Sequence, residues 1–376
     1  MPNLRQVMMG AAGVSKEDVE KMWSWGAQAS GSLGDGNTTN RSSPVLVAGG
    51  FTDWKVASAG HYCSMGIRDN GTLWTWGSSN SGYLGDGQTA ANKSCPVQVG
   101  SLTDWNADNV KKASMYRQSF VIKDDGNLWA WGKNSSGCIG NGNTTDLSSP
   151  VNIGSLTDWA LVVAGGTSSL AIKTDGTLWT WGYNDQGGLG LGDRTNRSSP
   201  TQVGALTTWS FATMARQVLA IKTDGTLWTW GRNSKGELGV GDTANKSSPV
   251  QIGALTTWAH TATGGNFSFA IKTDGTLWSW GYAAFGQLGH GNTTNLSSPN
   301  QVGSLTDWSK VYSGPNTFSA FALKTDGTAW AWGYNTVGNL GLGDTTVRSS
   351  PVQIGTRTTW LQMSQKSGHA LSIQNN

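Results

Sequence analysis

Short apolar runs, none near the length of a membrane span, alternate along this chain with stretches of Gly, Asn, Ser and Thr, and the same succession returns seven times. Residues 159–204 show the unit. Positions 159–164 are apolar and end in Gly165-Gly166, 169–173 predict a second strand, and Thr174-Asp175-Gly176-Thr177 predicts a hairpin turn with glycine where positive φ is needed. Leu178-Trp179-Thr180-Trp181 predicts a third strand and, after a long Gly/Asn/Ser loop, 200–203 predict a fourth. Four short antiparallel strands repeated radially make a β-propeller blade, and seven such units close a ring.

Tryptophan makes the repeat countable, because all 21 fall within it, three per unit. Seven pairs occupy Trp-x-Trp-Gly segments, from Trp23 and Trp25 to Trp330 and Trp332, spaced 49 to 55 residues apart. Seven single residues, Trp54, Trp105, Trp159, Trp209, Trp258, Trp308 and Trp360, close a Leu-Thr-x-Trp segment or a near relative. The two indoles of a pair stand two residues apart and project from one sheet face, so each pair is expected to press against the next blade. Burying a tryptophan contributes about 1.5–3 kcal/mol or more. That helps a chain only 37% hydrophobic to hold together, and the shared context assigns all 21 a structural role. Seven prolines, Pro44 to Pro351, also share one slot, after Ser-Ser or Ser-Cys, which suits the start of an outer, edge-like strand.

The two ends of the chain predict how the ring is joined. Leu371-Ser372-Ile373-Gln374 aligns with a second strand and stops where other units begin their Asp-Gly turn; Met22-Trp23-Ser24-Trp25-Gly26 is a third strand whose preceding turn has lost its glycine. One blade is therefore expected to draw strands from both termini, which leaves no open sheet edge. The organisation expected is a single propeller over 18–376 preceded by an arm over 1–17 that fits no repeat slot and is either frayed or docked on a partner.

Composition narrows the function classes. Lys plus Arg number 26 against 23 Asp plus Glu, and charged residues are 13%, so neither nucleic acid nor membrane insertion is expected. The apolar start, Val7 to Val14, is short and mild for a secretory signal. Cys63, Cys95 and Cys138 lie in different units, an odd count with no Cys-x-x-Cys pair, which predicts neither a disulfide framework nor a zinc site. The four histidines are scattered, no phosphate loop, Gly-x-Ser-x-Gly or His-Glu-x-x-His motif occurs, and one carboxylate per Gly-Asp-Gly-Asn loop is too few for calcium. The expectation is a non-enzymatic protein with no cofactor and no metal.

Comparing units assigns the loop acids. Asp35, Asp86, Asp193, Asp242 and Asp344 occur in the five loops that carry Arg41, Lys93, Arg197, Lys246 and Arg348, while the loops with Asn141 or His290 instead have Leu147 or Leu296. Acid and base are kept or lost together, which predicts a weak ion pair inside each loop rather than a cationic ring awaiting an anion.

Strand alternation divides such a ring into two unlike faces. The Asp-Gly turns and Leu-Thr-x-Trp connections emerge on one, nearly identical from unit to unit. On the other, the slot of Thr167 holds Tyr62, Arg117, Arg216, Asn266, Phe318 and Gly368, with His61, Tyr116, Gln217 and Phe267 beside it. Positions released from the template can carry function, though drift on a solvent-exposed rim would look the same.

Strand, Gly-Gly, strand, Asp-Gly, Leu-Trp-x-Trp-Gly, Asn-x-x-Gly-x-Leu-Gly and Ser-Pro-Val resembles the regulator of chromosome condensation repeat family from Lys21 onward. That resemblance implies a seven-bladed propeller, and its known members include an exchange factor for a small nuclear GTPase, a plant UV-B photoreceptor, a secreted β-lactamase inhibitor and many phage and bacterial proteins. Fold does not choose among them. Spacing leaves no room for the exchange factor's long insertion, and the photoreceptor's Gly-Trp-Arg-His-Thr is absent. The family's inner-hairpin histidine survives only as His369, with Cys63, Gln118, Ser168, Gln217, Phe267 and Ser319 in its place elsewhere. Three consecutive near-duplicate units resemble phage and environmental bacterial members.

The reading is an all-β recognition module, expected as a phage virion component (capsid or tail appendage) or bacterial surface protein that binds a partner protein or surface glycan. A secreted inhibitor-like binder, a nucleotide exchange factor and a cytoplasmic location are the alternatives. The candidate contacts are His61, Tyr62, Tyr116, Arg117, Arg216, Gln217, Asn266, Phe267, Phe318 and His369, with Tyr62, Tyr116, Arg117, Arg216 and Phe267 as anchors.

Overall fold

The computed structural model of the protein describes residues 19–105 and 112–375, and the arm expected over 1–17 lies outside them. Seven four-stranded antiparallel sheets form a ring, blades one to six spanning 54–98, 113–152, 159–202, 209–251, 258–301 and 308–353. Blade seven combines Trp360–Lys366 and His369–Asn375 with Glu20–Gly26 and Arg41–Leu46. The expected seam is present: Met22 lies opposite Ile373 and Trp25 opposite Ala370 in unbroken register. First strands of successive blades contact one another around a central channel.

Blade three shows why the sequence folds this way. Its strands are Trp159–Ala164, Ser168–Lys173, Leu178–Gly182 and Arg197–Gln202. At the hairpin, Asp175 Oδ1 accepts from the Thr177 N–H at 2.9 Å and its Oγ1–H at 2.7 Å, while Gly176 takes φ 78°. The fourth strand starts earlier than expected, because Gly182 faces Arg197 while Thr180 faces Thr201. Pro200 therefore sits on a bulge within an edge strand, where its missing N–H breaks no ladder bond.

The core lies between blades. The second indole of every Trp-x-Trp pair is fully buried. Each donates its N–H to a backbone carbonyl of the preceding blade, as Trp230 does to Gly188 at 3.1 Å, Trp280 to Glu237 at 2.9 Å and, across the seam, Trp25 to Asn339 at 3.1 Å. Gly190 accepts this approach only because it lacks a side chain: it has φ 71°, and a Cβ there would stand 2.7 Å from Trp230 Nε1. The single tryptophan packs edge-on behind the pair, Trp209 lying 6.2 and 5.9 Å from the Trp228 and Trp230 rings.

The first indole of the pair is only half-buried, which corrects the expectation that both share one role. Trp228 donates to Thr226 Oγ1 at 2.9 Å and carries the Lys222 ammonium 3.7 Å from its ring centroid, a cation–π contact at the rim. The loop ion pairs form at Asp35–Arg41, Asp193–Arg197, Asp242–Lys246 and Asp344–Arg348, at 2.6–2.9 Å. Asp86 and Lys93 do not pair; they stand farther apart in sequence than any other couple. The acid also serves the loop's own frame, since Asn184 donates to Asp193 and accepts from Leu189 N–H at 2.9 Å.

Candidate partner-binding face

One end of the propeller carries the connections between first and second strands and the start of those between third and fourth. In every blade a backbone hydrogen bond ties the two together: Ser78 N–H to Tyr62 O, Lys133 to Arg117, Tyr183 to Thr167, Arg232 to Arg216, Tyr282 to Asn266, Tyr334 to Phe318 and Ala27 to Gly368, at 2.8–3.2 Å. The face is thus a ring of seven side-chain pairs whose backbone is templated and whose side chains are not. Blades two and four present cations, blades five and six aromatics, and blade seven no more than a methyl group.

On the basic arc, a cavity of about 300 Å³ opens at the channel mouth between Tyr116, Arg117, Thr167, Tyr183, Arg216 and Asn316. Arg216 is exposed and has no ion pair among the described residues. Arg117 is half-buried, with its Cζ 5.8 Å from the Tyr116 ring centroid, and its Nη2 donates to His61 Nε2 at 3.3 Å. An arginine can only donate, so His61 keeps its proton on Nδ1 and gives it to Ser367 Oγ at 2.9 Å. Burial, then the Arg117 and Lys133 charges, push the His61 pKa down to about 4, so the ring is neutral at pH 7. The carboxylate at this edge, Asp185, accepts from Tyr183 Oη at 2.7 Å.

Blade six brings the two arcs together. Its connection over 313–318 is longer than the others and passes through Asn316, a non-glycine residue at φ 55°. Asn316 Nδ2 reaches across the mouth to Tyr116 Oη at 2.5 Å and lines the cavity. Two residues on, Phe318 joins an aromatic cluster: Phe285 lies 5.3 Å from Phe318, 5.1 Å from Tyr334 and 6.4 Å from Tyr282. All four rings are half-buried, an arrangement that exposes apolar area without letting it collapse.

Below the mouth the channel is bridged. Lys366, buried in blade seven, donates from Nζ to Met115 O of blade two at 2.7 Å and to Ala164 O of blade three at 3.3 Å. With no carboxylate beside it, burial pushes its pKa down to about 7.

Of the sequence-predicted contacts, His61, Tyr62, Arg117, Arg216, Asn266 and Phe318 lie on this face with exposed or half-buried side chains. Tyr116 is buried and supports the mouth from within. Gln217, Phe267 and His369 are fully buried and are corrected from contacts to staples between blades. They open the second strand, one position past the variable residue, so the pleat turns them inward. Gln217 Nε2 donates to Phe267 O at 2.9 Å and Gly264 O at 3.2 Å, Phe267 fills its junction with a ring, and His369 Nε2 meets Ser64 Oγ at 3.0 Å. Sequence reading missed Lys133, Tyr183, Arg232, Tyr282, Phe285, Asn316 and Tyr334. For five of these the signal was available, since the residue after each Trp-x-Trp-Gly varies from Ala27 to Tyr334.

Comparison with known proteins places this geometry. The regulator of chromosome condensation (RCC1) repeat profile matches at 20–67, 70–114, 125–172, 175–215, 224–271, 274–320 and 326–371. Human E3 ubiquitin-protein ligase HERC2 is 30% identical over 40% of this chain and 3% of its own length; the Arabidopsis thaliana ultraviolet-B receptor UVR8 is 29% identical over 40% and 34%. The matches thus span only a minor part of these relatives. Yeast RCC1 (Prp20), solved bound to Kap60, superposes with TM-score 0.82 at 18% identity, over 100% of this chain and 96% of that one. Human WBSCR16 gives 0.81 at 20% identity, over 94% and 98%. Seven repeat matches and seven matching blades make the chain a member of the regulator of chromosome condensation (RCC1) repeat family.

Proposed function

We propose that this propeller is a non-enzymatic recognition module whose protein partner seats on the face that carries Arg117, Arg216, Phe318 and Tyr334. One observation carries the reading: on a ring whose opposite end repeats from blade to blade, this end joins a cationic mouth to an aromatic cluster through the 313–318 connection. Half-buried rings near arginines have the composition of interaction hot spots. Prp20, a similar propeller, was solved with a protein bound and studied for binding to Gsp1p and histones, which supports protein recognition by this architecture. The near-duplicate units are what supports a phage virion or bacterial surface setting, although the relatives named above are eukaryotic.

The test is site-specific photocrosslinking. A benzophenone side chain at position 318, and separately at 224 in an Asp-Gly turn of the opposite face, is activated in an extract of the source organism. Specific adducts from 318 alone are expected. Adducts arising only from 224 would reject the reading.

A further inference from the structure

We propose that the mouth is built for an acidic segment of the partner: one carboxylate of that segment enters the cavity between Arg117 and Arg216, and an adjoining apolar side chain seats on Phe318 and Tyr334. This rests on the function proposed above and specifies the partner's chemistry.

Size, charge and partnering each point there. A cavity of about 300 Å³ is at the lower bound of small-molecule pockets, and suits an inserted side chain better than a cofactor. Its two guanidiniums hold different amounts of unused capacity. Arg216 is exposed without an ion pair, and Arg117 has a buried Nε with no hydrogen-bond partner although its Nη2 is engaged. The guanidinium fork matches a carboxylate with two parallel bonds. Among the described residues neither arginine of the mouth has an ion pair: Asp185, the one carboxylate that lines the cavity, accepts from Tyr183 instead, and Glu237 is fully buried behind Arg232 at 3.7 Å. The neutral His61 adds no competing charge and holds Arg117 in place.

The aromatic cluster supplies the second contact. Because Asn316 lines the cavity and Phe318 belongs to the cluster, both subsites lie on one short connection pinned at Tyr116, within reach of one extended peptide. A purely acidic ligand would leave the rings uncovered, and an apolar one would strand two arginines. An acidic segment with an apolar residue satisfies both.

The experiment uses the full chain and a fluorescein-labelled peptide, Asp-Glu-Leu-Phe-Glu-Asp, followed by anisotropy. Binding that weakens at least about tenfold when the peptide's acids become amides, when Leu-Phe becomes Ser-Ser, and in Arg216→Glu supports the proposal. Arg216 is exposed and unpaired, so this variant is expected to melt like the parent; Arg216→Lys, keeping charge but losing the fork, should recover part of the binding. Phe318→Ala should weaken binding by a comparable factor. Equal affinity for the amide peptide, no binding of the acidic peptide at all, or stronger binding of an oligonucleotide of equal charge would overturn it. If the peptide fails while position 318 still crosslinks a protein, only the acidic anchor falls and the face keeps its role.

Discussion

The two ends of this propeller are built on one backbone and put to opposite uses. At the Asp-Gly end four blades repeat one turn: Asp175, Asp224, Asp274 and Asp326 each accept from the threonine two positions on, and these turn bonds hold the carboxyls below their usual pKa. At the mouth the same hydrogen-bond frame recurs seven times under side chains that are cationic, aromatic or nearly absent. Repetition marks where packing decides the residue, and release from repetition marks where solvent or a partner does. Between the ends lies the indole belt, which belongs wholly to packing.

The sharpest test of that contrast is to remove one ring from each region. Trp230→Ala deletes a buried indole and its bond to Gly188, and should lower the free energy of unfolding by about 3–5 kcal/mol in urea titration. Phe318→Ala, taken from a half-buried surface cluster, should cost about 1 kcal/mol or less while weakening partner binding. Equal stability losses would erase the distinction.

Lys366 tests whether the channel belongs with the packed region. Its folded pKa, about 7, is depressed from the ordinary lysine value, so between pH 7 and that value the unfolded chain binds more protons. Stability contributed by this group therefore rises as pH increases through 7, by at most about 1.4 kcal/mol per pH unit. Cys63, raised to about 12 by burial, acts in the opposite sense at higher pH, so the clean window is 7 to 9. Lys366→Met should flatten the slope there; an unchanged slope would mean that the folded amine keeps its proton across this window.

Gln217 separates the two kinds of residue at the mouth itself. Gln217→Ala leaves Phe267 O and Gly264 O without their side-chain donor and should cost about 1–3 kcal/mol in thermal or urea unfolding, with partner affinity unchanged. A loss of binding at full stability would return it to the contact surface. The smallest effect belongs to Arg197→Ala, whose exposed pair with Asp193 should alter the unfolding midpoint at the edge of measurement and leave binding intact.

Much of this fold is written in the local pattern of the chain. Strand lengths, the Asp-Gly turns, the seven-fold count and the seam between Met22 and Ile373 all follow from local pattern and from where the pattern is cut at the two termini. Four of five loop ion pairs followed from the joint presence of acid and base. The site was legible only in part. Variation located Arg117, Arg216 and Phe318 on the right face, yet equal variability next door at Gln217 and Phe267 concealed a half-turn of the pleat that buries them.

Sequence by itself determined the blade and the number of blades, because both depend on hydrogen bonds and pleats between residues that the repeat places at fixed, short separations, and it determined the closure because the two half-blades that pair at the seam complete one template. Tertiary structure alone decided what meets at the mouth: Asn316 against Tyr116, Lys366 against Met115, Phe285 between Phe318 and Tyr334. Those contacts join different blades, and two of them cross the channel. A periodic chain carries the same local signal in every blade, so it cannot announce which side chains a closed ring will bring face to face.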